Sequence, residues 1–506
     1  MTTSMYGKRK YGAFKYGATV LGNSRYALEV DWDSDAAWNG GNEGPNLIDM
    51  SIERGRKYTV SAAGDSFQVE ETGRFSAVLL DDDGRYDPFN VSSPLYGMLS
   101  GGKFFRARVR TTTNTIHALM AGTLDEPVAY IENGVKKARL EGVDGWGFLR
   151  DQMNEVTVPL QENIYVDTAM ALVLQKAGWP ALWGSSLDAG VDQRNYFWVD
   201  ARSAAQVVHE LAHNELGTVA LQADGALRFR SRVSQETSVL TLYDTDCLKN
   251  GVRRMTPNEA IRNLIRIEST PRTELALQQV WEIPARLEVT AGQTIDDVWA
   301  EFTYNNESVP VKNPITPVTV TDFNAYSNND GTGTNLTANI SITMNPFSTK
   351  GQLSITNNGG TTAHVYCKVR GYPLAKTNSV SFQSRDEESI RQFGARPFML
   401  SVDQNVNVAR QYRELLALLM TTAKNYLVID LMPNPDLQFA VDLGDTIHAE
   451  LSNYGISQPY RVIGIKHNFS DVAGIVVSTR WWLEPYTRLF AGVQIPVQVP
   501  FQLITV

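Results

Sequence analysis

The most conspicuous chemical pattern in the sequence is His209-Glu210-Leu211-Ala212-His213, which has the H-E-x-x-H spacing of zinc peptidases. On a helix, two histidines four residues apart share one face and can bind a zinc ion while the glutamate activates water. A catalytic zinc ion also needs a third protein ligand, yet Gly217 ends the predicted helix and the next histidine is His364. Helical geometry places both histidines opposite the apolar stripe of Val207 and Leu211, on a face that we expect to be solvated. We therefore interpret the motif as a chance arrangement on an exposed helix, with a zinc peptidase as the alternative.

A second candidate site is the alternating acidic run of Asp31, Asp33 and Asp35. Calcium loops supply oxygen ligands from positions 1, 3 and 5, and they carry glycine at position 6 and glutamate at position 12. Here position 6 is Ala36 and position 12 is Asn42, so the pattern is incomplete. We favour a solvated acidic turn and keep a structural calcium site as the alternative.

Other signature motifs of enzymes are missing from the sequence. It contains no phosphate-binding G-x-x-x-x-G-K-[ST] loop, no G-x-S-x-G nucleophile turn and no dinucleotide fingerprint after a strand. Its basic residues do not form the aromatic-interleaved stripe that binds single-stranded nucleic acid. We therefore predict that the protein is not an enzyme and uses no cofactor.

Composition bounds the size and class of the protein. The 506 residues suffice for about three or four domains. A balance of 46 Lys and Arg against 55 Asp and Glu gives a net charge of −9, which argues against a nucleic-acid coat or a polybasic membrane binder. The two cysteines cannot build a disulfide framework. Because no apolar run is long enough for a membrane span and no signal peptide is evident, we expect an ordinary soluble chain.

The N-terminal part is predicted to be an arm followed by a β domain. Residues 1–24 carry Tyr-Gly pairs every five residues with lysines and an arginine between them, which is typical of a loose terminus or of an arm anchored on a neighbouring subunit. Residues 25–150 contain short alternating strand patterns, such as 26–30 and 75–80, and no helix of ten residues. This pattern predicts a first all-β barrel or sandwich.

The middle of the chain changes its periodicity. In residues 151–255, a helix is predicted over 167–178 with Asp167 as its cap, and another over 203–217 with a Ser203/Gln206 capping box. A hairpin around Asp224-Gly225 follows, so we predict an α+β domain here.

The C-terminal half is predicted to hold an insertion and a second barrel. Residues 286–375 are rich in Thr, Asn and Ser, which indicates a separate β-sandwich. We predict that this sandwich is inserted into a connector domain, which consists of residues 256–285 and 376–424 and contains a helix at 406–424. Residues 425–490 have the strand spacing of a second compact β-barrel, and 491–506 form a tail. The predicted fold is mainly β with α+β parts: two β-barrels, a helix-containing domain between them and an inserted β-sandwich.

Residues 73–96, GRFSAVLLDDDGRYDPFNVSSPLY, carry the most specific resemblance in the chain. They resemble the baseplate-hub, or tail-tip, minor tail proteins of long-tailed, siphovirus-like phages, which have a strand, an N/D-G-R-[YF]-x-P turn and then N-x-x-S-P-L-Y. The resemblance continues at 122–125, 142–149, 212–230, 329–353, 433–435 and 442–445, almost from end to end. It departs at the acidic loop, where relatives often have D-x-D-x-D-G and this chain has Ala36.

The resemblance implies a structural role in a virion. In that family three chains form a ring, and each contributes two tube-type β-barrels, so that six barrels face a hexameric tail tube while the ring stays threefold toward the tip. The implied partners are two further copies of the chain, a distal tail or tail-tube protein, a tip fibre or spike protein and a tape-measure protein. DNA would pass only in transit during genome ejection, and assembly would take place in the host cytoplasm.

Two alternatives of other classes stay open at this stage. One is a zinc peptidase that acts on the host wall through His209, Glu210 and His213. The other is an adhesin that binds carbohydrate through the inserted sandwich of residues 286–375.

Overall fold

The computed structural model describes residues 26–38, 41–55, 72–111, 114–151, 155–191, 193–234, 237–255, 261–402, 426–470 and 476–486. The N-terminal arm (1–24), the helix predicted at 406–424 and the C-terminal tail (491–506) lie outside these residues. Within them, none of the helices has the length and apolar character that crossing a membrane requires. The fold is mainly β with α+β parts, which confirms the predicted class.

Seven strands form the N-terminal lobe: β1 (Tyr26–Val30), β2 (Leu47–Gly55), β3 (Arg74–Leu80), β4 (Lys103–Arg110), β5 (Ile116–Leu124), β6 (Val128–Glu132) and β7 (Val135–Asp144). Their pairing is antiparallel in the order β1-β4-β5-β7-β3-β2, with β6 on β7. Alternating residues turn inward because strand side chains point to opposite faces, as Phe105, Ala107 and Val109 do in β4. All six strands of this path contribute to one apolar core.

An α+β segment follows, with α1 (Gly145–Arg150), β8 (Glu155–Tyr165), α2 (Val166–Lys176), β9 (Ser185–Leu187), β10 (Gln193–Ser203), α3 (Ala204–Asn214), β11 (Thr218–Leu221) and β12 (Leu227–Arg230). The predicted cap Asp167 was wrong, whereas Ser203 lies at the N-cap position of α3 as predicted but does not form the predicted capping box. The Ser203 side chain makes no capping hydrogen bond, and its hydroxyl donates to the carbonyl oxygen of Leu149 in α1 at 3.4 Å. Asp167 lies inside the first turn of α2, where it accepts the Gly190 N–H at 3.1 Å.

Two strands, β13 (Thr241–Tyr243) and β14 (Cys247–Met255), lead into a three-stranded connector sheet. This sheet consists of β15 (Leu264–Ser269), β27 (Val380–Arg385) and β28 (Pro397–Val402), with β15 in the middle and α4 (Glu387–Phe393) before β28. Ser269 at the end of β15 lies opposite Val380 at the start of β27. The chain therefore leaves the connector and returns to it at adjacent points.

The intervening residues form a two-layered β-sandwich with its own apolar core. In one layer the long strand β26 (Ala363–Lys376) pairs with β16 (Arg272–Glu274), β17 (Gln278–Glu282), β18 (Leu287–Val289), β22 (Val311–Ile315) and β23 (Phe323–Tyr326). The other layer has the order β19 (Thr294–Glu301), β25 (Lys350–Asn357) and β24 (Ile340–Pro346). A short hairpin of β20 (Thr303–Tyr304) and β21 (Glu307–Ser308) completes the insert.

The C-terminal lobe contains β29 (Tyr426–Leu431), α5 (Pro435–Gln438), β30 (Thr446–Leu451), β31 (Ile456–Ser470) and β32 (Val476–Pro485). The strands β13 and β14 also belong to this lobe, because β13 pairs with β30 and β14 pairs with β29. The prediction that residues up to 255 belong to the α+β domain was therefore wrong for these two strands. A second apolar core fills the lobe.

The two lobes are parts of one continuous sheet of thirteen strands. Strand β2 pairs with β3 on one side and with β31 on the other, from Asp49 opposite Ser470 to Gly55 opposite Gly464. The barrel-like regions predicted at the two ends of the sequence are therefore joined directly by backbone hydrogen bonds.

Candidate functional site

Helix α3 carries the H-E-x-x-H residues, but its surroundings differ from the prediction. We expected a solvated face, whereas both histidines are half-buried. The ring of His209 stacks on the buried indole of Trp146 in α1, with centroids 4.2 Å apart and an interplanar angle of 20°. Helical periodicity alone assigns this face of α3 to solvent, but α1 packs beside α3 and covers it.

His213 faces a different neighbour, the ring of Phe398 in β28, with parallel planes and centroids 6.1 Å apart. Burial lowers the pKa of His213 to about 4. Glu210 lies on the exposed side and forms an ion pair with Arg202. Among the residues that the structure describes, no third His, Cys, Asp or Glu completes a metal-binding group with the two histidines. The arrangement therefore packs the helix through its histidines, and the described residues do not supply the ligand set of a catalytic zinc ion.

An open cleft of about 580 Å³ lies between α3, β10 and β28. Glu210 and His213 are on its wall, and the outward-facing side chains of β10 supply most of the remaining polar groups: Arg194, Tyr196, Trp198, Asp200 and Arg202. Asp200 accepts a hydrogen bond from the Thr349 hydroxyl of the inserted sandwich at 2.8 Å, and burial raises its pKa. Among the described residues that line the cleft, there is no Ser or Cys that a histidine would activate as a nucleophile.

The acidic loop brings Asp31, Asp33 and Asp35 together, with one carboxylate oxygen from each within 4.8 Å of the others. The prediction of a solvated turn is wrong for Asp31, which is buried and accepts the N–H groups of Asp35 and Ala36 at 3.1 Å each. Burial, together with a hydrogen bond to Asp33, raises the pKa of Asp31. Ala36 has a φ of 60°, a backbone conformation that favours glycine. Three convergent carboxylates are suited to calcium, so a structural calcium site stays the alternative for this loop.

Glu43, which the sequence analysis did not select, organises the region where the acidic loop meets the Asp-Gly-Arg-Tyr turn. Its carboxylate is buried and accepts hydrogen bonds from the Trp32 indole at 3.0 Å, the Arg85 guanidinium at 2.9 Å and the Tyr86 hydroxyl. Burial and the nearby carboxylate raise the pKa of Tyr86 well above its usual value, so the phenol stays a donor. Arg85 and Tyr86 of the recognised motif thus have a structural role here.

A second buried network joins three parts of the chain. Arg54 in β2 forms an ion pair with Asp442 of the C-terminal lobe at 2.7 Å, and its guanidinium also donates to the Leu221 carbonyl oxygen at 3.4 Å. Asp442 accepts the Ala223 N–H at 2.6 Å. Nearby, Arg228 pairs with Asp445 at 2.6 Å. No local sequence pattern indicates these partners, because they lie up to about four hundred residues apart.

Comparisons with known proteins give structural similarity at low sequence identity. No protein-family model matches the sequence, and no curated protein matches it. Among solved structures, a tail protein from Neisseria meningitidis MC58 has a TM-score of 0.48 and 12% identity, covering 91% of this chain and 96% of that one. The 43 kDa tail protein of prophage MuSo2 from Shewanella oneidensis has a TM-score of 0.49 and 9% identity, with 92% and 98% coverage. Prophage tail protein gp18 from Listeria monocytogenes EGD-e has a TM-score of 0.41 and 8% identity, with 91% and 94% coverage.

Proposed function

We propose that this chain is a structural hub protein of a phage tail tip, and that three copies form a ring. The observation that carries the proposal is the pairing of β2 with β31, which fixes two β lobes side by side within one chain. Three such chains would present six lobes, so that a threefold ring would meet a sixfold tail tube without any change of subunit number. Duplication of the lobe within one chain would resolve the symmetry mismatch.

The recognised motif supports the same role. Residues 83–88 form a turn in which Arg85 and Tyr86 hydrogen-bond to the buried carboxylate of Glu43. These bonds stabilise the N-terminal lobe beside its first strand. The motif therefore stabilises a β lobe through buried hydrogen bonds.

In this proposal the ring frames the channel through which DNA leaves the virion. The distal tail or tail-tube protein would bind one face, the tip fibre or spike protein would bind the other, and a tape-measure protein would reach the channel. A net charge of −9 suits a conduit, because a basic lumen would hold DNA electrostatically. The protein would reside in the tail tip of the virion, and its part in ejection would be mechanical.

The zinc-peptidase alternative loses support from the geometry of α3. His209 and His213 stack on Trp146 and Phe398 respectively, and these rings belong to separate elements, α1 and β28. The adhesin alternative would need an accessible aromatic platform on the insert. Trp299 is 44% exposed there, but the Lys350 ammonium lies 4.8 Å from its ring centroid.

Light scattering with metal analysis on the same chromatographic peak tests the proposal against the peptidase. We expect a mass of three times 56.2 kDa and no stoichiometric zinc, for the natural protein and for a His213→Phe variant alike. A mass of 56.2 kDa at every protein concentration would contradict the ring. One zinc ion per chain, lost in His213→Phe, would restore the peptidase.

A further inference from the structure

The two β lobes share one strand order. In the N-terminal lobe neighbouring strands follow the order β1-β4-β5-β7-β3-β2, and in the C-terminal lobe they follow the order β13-β30-β31-β32-β29-β14. Counted along the chain, β1 corresponds to β13, β2 to β14, β3 to β29, β4 to β30 and β7 to β32. Corresponding neighbours pair antiparallel in both lobes, except that β1 is antiparallel to β4 whereas β13 is parallel to β30. The lobes are therefore two versions of one topology.

Strand β31 corresponds to β5 and β6 taken together. These two strands follow one another along the same edge of β7, where β6 pairs with residues 135–139 and β5 pairs with residues 142–144. Strand β31 lies along β32 in the same way, and its first residues pair with β30 as β5 pairs with β4. Strand β6 is thus the counterpart of the second half of β31.

The correspondence can be followed residue by residue. A row of buried residues crosses three corresponding strands in each lobe: Met50, Ala77 and Leu140 in β2, β3 and β7, and Val252, Ile429 and Trp481 in β14, β29 and β32. Four residues before Leu140, β7 lies opposite Ile131 of β6. Four residues before Trp481, β32 lies opposite Phe469 of β31. Val252 therefore corresponds to Met50. In the same way Ile131 corresponds to Phe469.

The junction between the lobes uses one pair of corresponding edges and leaves the other pair open. Strand β2 pairs with the second half of β31, and Met50 lies opposite Phe469 in the N-terminal core. The counterparts of these two edges belong to β14 and β6. In the described part of the chain, β14 pairs with β29 alone and β6 pairs with β7 alone, so the second edge of each has no neighbouring strand. Each chain thus contains one completed junction and the two separate halves of an equivalent one.

An apolar side chain marks the open edge of β6. Ile131 is 70% exposed, whereas its counterpart Phe469 is buried. Pairing with a second copy in the equivalent register would place Ile131 opposite Val252, which belongs to the C-terminal core. An open edge strand with exposed apolar side chains is a template for pairing with another chain. Covering Ile131 in this way would also remove its apolar surface from water, which is favourable.

The charges of the two open edges are complementary. Strand β14 carries three exposed basic residues and no acidic one: Lys249, Arg253 and Arg254. The equivalent register places Arg253 opposite Tyr130 and diagonal to Glu132 on the same face of the sheet, where long side chains can meet. Arg253 pairs with Asp430 and Glu132 pairs with Lys137 within their own lobes, but Arg253 is 58% exposed and Glu132 is 53% exposed. Both charges are therefore accessible to a second chain.

We propose that β6 of one copy pairs antiparallel with β14 of a second copy, in the register that β31 and β2 use within one chain. The inference rests on the ring of the proposed function and names the strands that hold it together. Each copy offers β6 to one neighbour and β14 to the other, so the contact is heterologous and closes after three copies. The three thirteen-stranded sheets thereby become one continuous sheet around the ring.

Disulfide trapping between full-length chains tests the pairing. Tyr130→Cys combined with Arg253→Cys places thiols at opposed positions on one face, and opposed Cα atoms in antiparallel strands are about 4.5–5.5 Å apart, which suits a disulfide. A matched control combines Ala129→Cys with Arg253→Cys, because neighbouring residues of a strand point to opposite faces. The natural thiols do not compete, since both are buried and burial raises the pKa of Cys247 and of Cys367 to about 12.

Under mild oxidation we expect Tyr130→Cys/Arg253→Cys to form covalent trimers of three times 56.2 kDa, at least about tenfold faster than the control. Tyr130→Cys alone should not cross-link, and covalent dimers of that variant would overturn the proposal because they would pair β6 with itself. Light scattering on the same sample separates two failures. A trimer without faster cross-linking would overturn the strand pairing and leave the ring, whereas a monomer at every concentration would overturn both.

A charge at Ile131 tests the same contact without cysteines. Ile131→Glu should leave the fold of a single chain intact because the side chain is exposed, but in the ring it would bury a carboxylate against Val252 of the neighbour. We expect the protein concentration at which half of the chains are trimeric to rise at least about tenfold. Val320→Glu is the control, since Val320 is 81% exposed but lies on the inserted sandwich. Equal trimerisation of the two folded variants would overturn the proposal.

Discussion

Arg54 and Asp442 form an ion pair of 2.7 Å across the boundary between the two β lobes, and the side chain of Arg54 is only 3% exposed. The guanidinium also reaches the Leu221 carbonyl oxygen, while Asp442 receives the Ala223 N–H. One buried pair thus holds the N-terminal lobe, the C-terminal lobe and the turn of the β11–β12 hairpin together. The lobes are fixed relative to one another by side chains as well as by the shared sheet.

Removing the acidic partner should cost more stability than removing the basic one. Asp442→Asn leaves a buried guanidinium without its carboxylate and should lower the free energy of unfolding by about 3–5 kcal/mol. Arg54→Met leaves Asp442, which is 22% exposed and keeps its N–H donors, so we expect a loss of only about half as much. Chemical denaturation of the two variants measures the difference. Glu141→Gln, which breaks an exposed pair with Arg139, serves as the control and should cost less than about 1 kcal/mol. Equal losses in all three variants would contradict the buried junction.

Two glycines with the same backbone angle test how closely the lobes approach. Gly55 and Gly134 both have a φ of +78°, so alanine should cost about 1–2 kcal/mol at either position. At Gly55 a Cβ would also lie 2.3 Å from the Ile463 carbonyl oxygen in β31, whereas at Gly134 no atom lies within 4 Å. We therefore expect Gly55→Ala to cost at least about 3 kcal/mol in total and Gly134→Ala no more than its backbone cost. Similar losses in both variants, measured by urea denaturation, would show that β2 and β31 are not in contact.

Buried Asp144 should make stability depend on pH. Its carboxylate caps α1 by accepting the Trp146 N–H at 3.0 Å, and burial raises its pKa to about 6 from 3.8. Because the native state binds this proton more tightly than the unfolded state, the contribution of Asp144 to stability is full below about pH 4 and is lost as the pH rises through 6. A shift of about two pKa units corresponds to about 3 kcal/mol.

The Asp144→Asn variant isolates this contribution. Relative to the natural protein, it should gain about 2 kcal/mol between pH 4.5 and pH 7.5, because asparagine carries no charge to bury at either pH. Comparison with Asp224→Asn, in an exposed turn, controls for general effects of pH. Burial also lowers the pKa of His467 to about 3, which makes stability rise with pH. This effect is the same in the natural protein and in both variants. If the free energy of unfolding differs between Asp144→Asn and the natural protein by the same amount at both pH values, the assignment of a raised pKa to Asp144 is contradicted.

The inserted sandwich should be removable. Ser269 and Val380 are directly opposite in the register of β15 and β27, so Asn-Gly in place of residues 270–379 should close a two-residue hairpin. The remainder loses contacts such as Thr349 with Asp200, Lys312 with Glu162 and the Arg272 guanidinium over the Trp198 ring, and each is worth about 1 kcal/mol or less. We expect cooperative thermal unfolding of the shortened chain, and separately of a fragment of residues 270–379, which contains its own core. Loss of folding in both pieces would contradict an insertion.

Local patterns in the sequence were sufficient for many individual elements. Residues 26–30 were predicted as a strand with the bounds that the structure has, and residues 75–80 with bounds that differ by one residue, because alternation and flanking turn residues are local signals. The Asp224-Gly225 turn was predicted for the same reason, and glycine at its second position has a φ of +93°. The carboxylates of residues 31–35 lie close together, as the calcium alternative implied and the favoured solvated turn did not.

Features that depend on distant partners could not be predicted in this way. The pairing of β2 with β31 joins residues more than four hundred positions apart. The surroundings of His209 and His213 are set by Trp146 and Phe398, which come from other elements, so helical periodicity assigned these histidines to solvent incorrectly. The role of Glu43 also depends on Arg85 and Tyr86, some forty residues away. Packing between separate segments decides the environment of each of these residues.

The central claim is that three copies of this chain form a ring with six β lobes. Electron microscopy of the purified protein, with class averages viewed along the ring axis, tests it most directly. The account predicts threefold symmetry, with six densities of similar size at a similar radius and the inserted sandwiches as three further densities. Particles without rotational symmetry, or rings in which each chain contributes a single density to the circle, would contradict it.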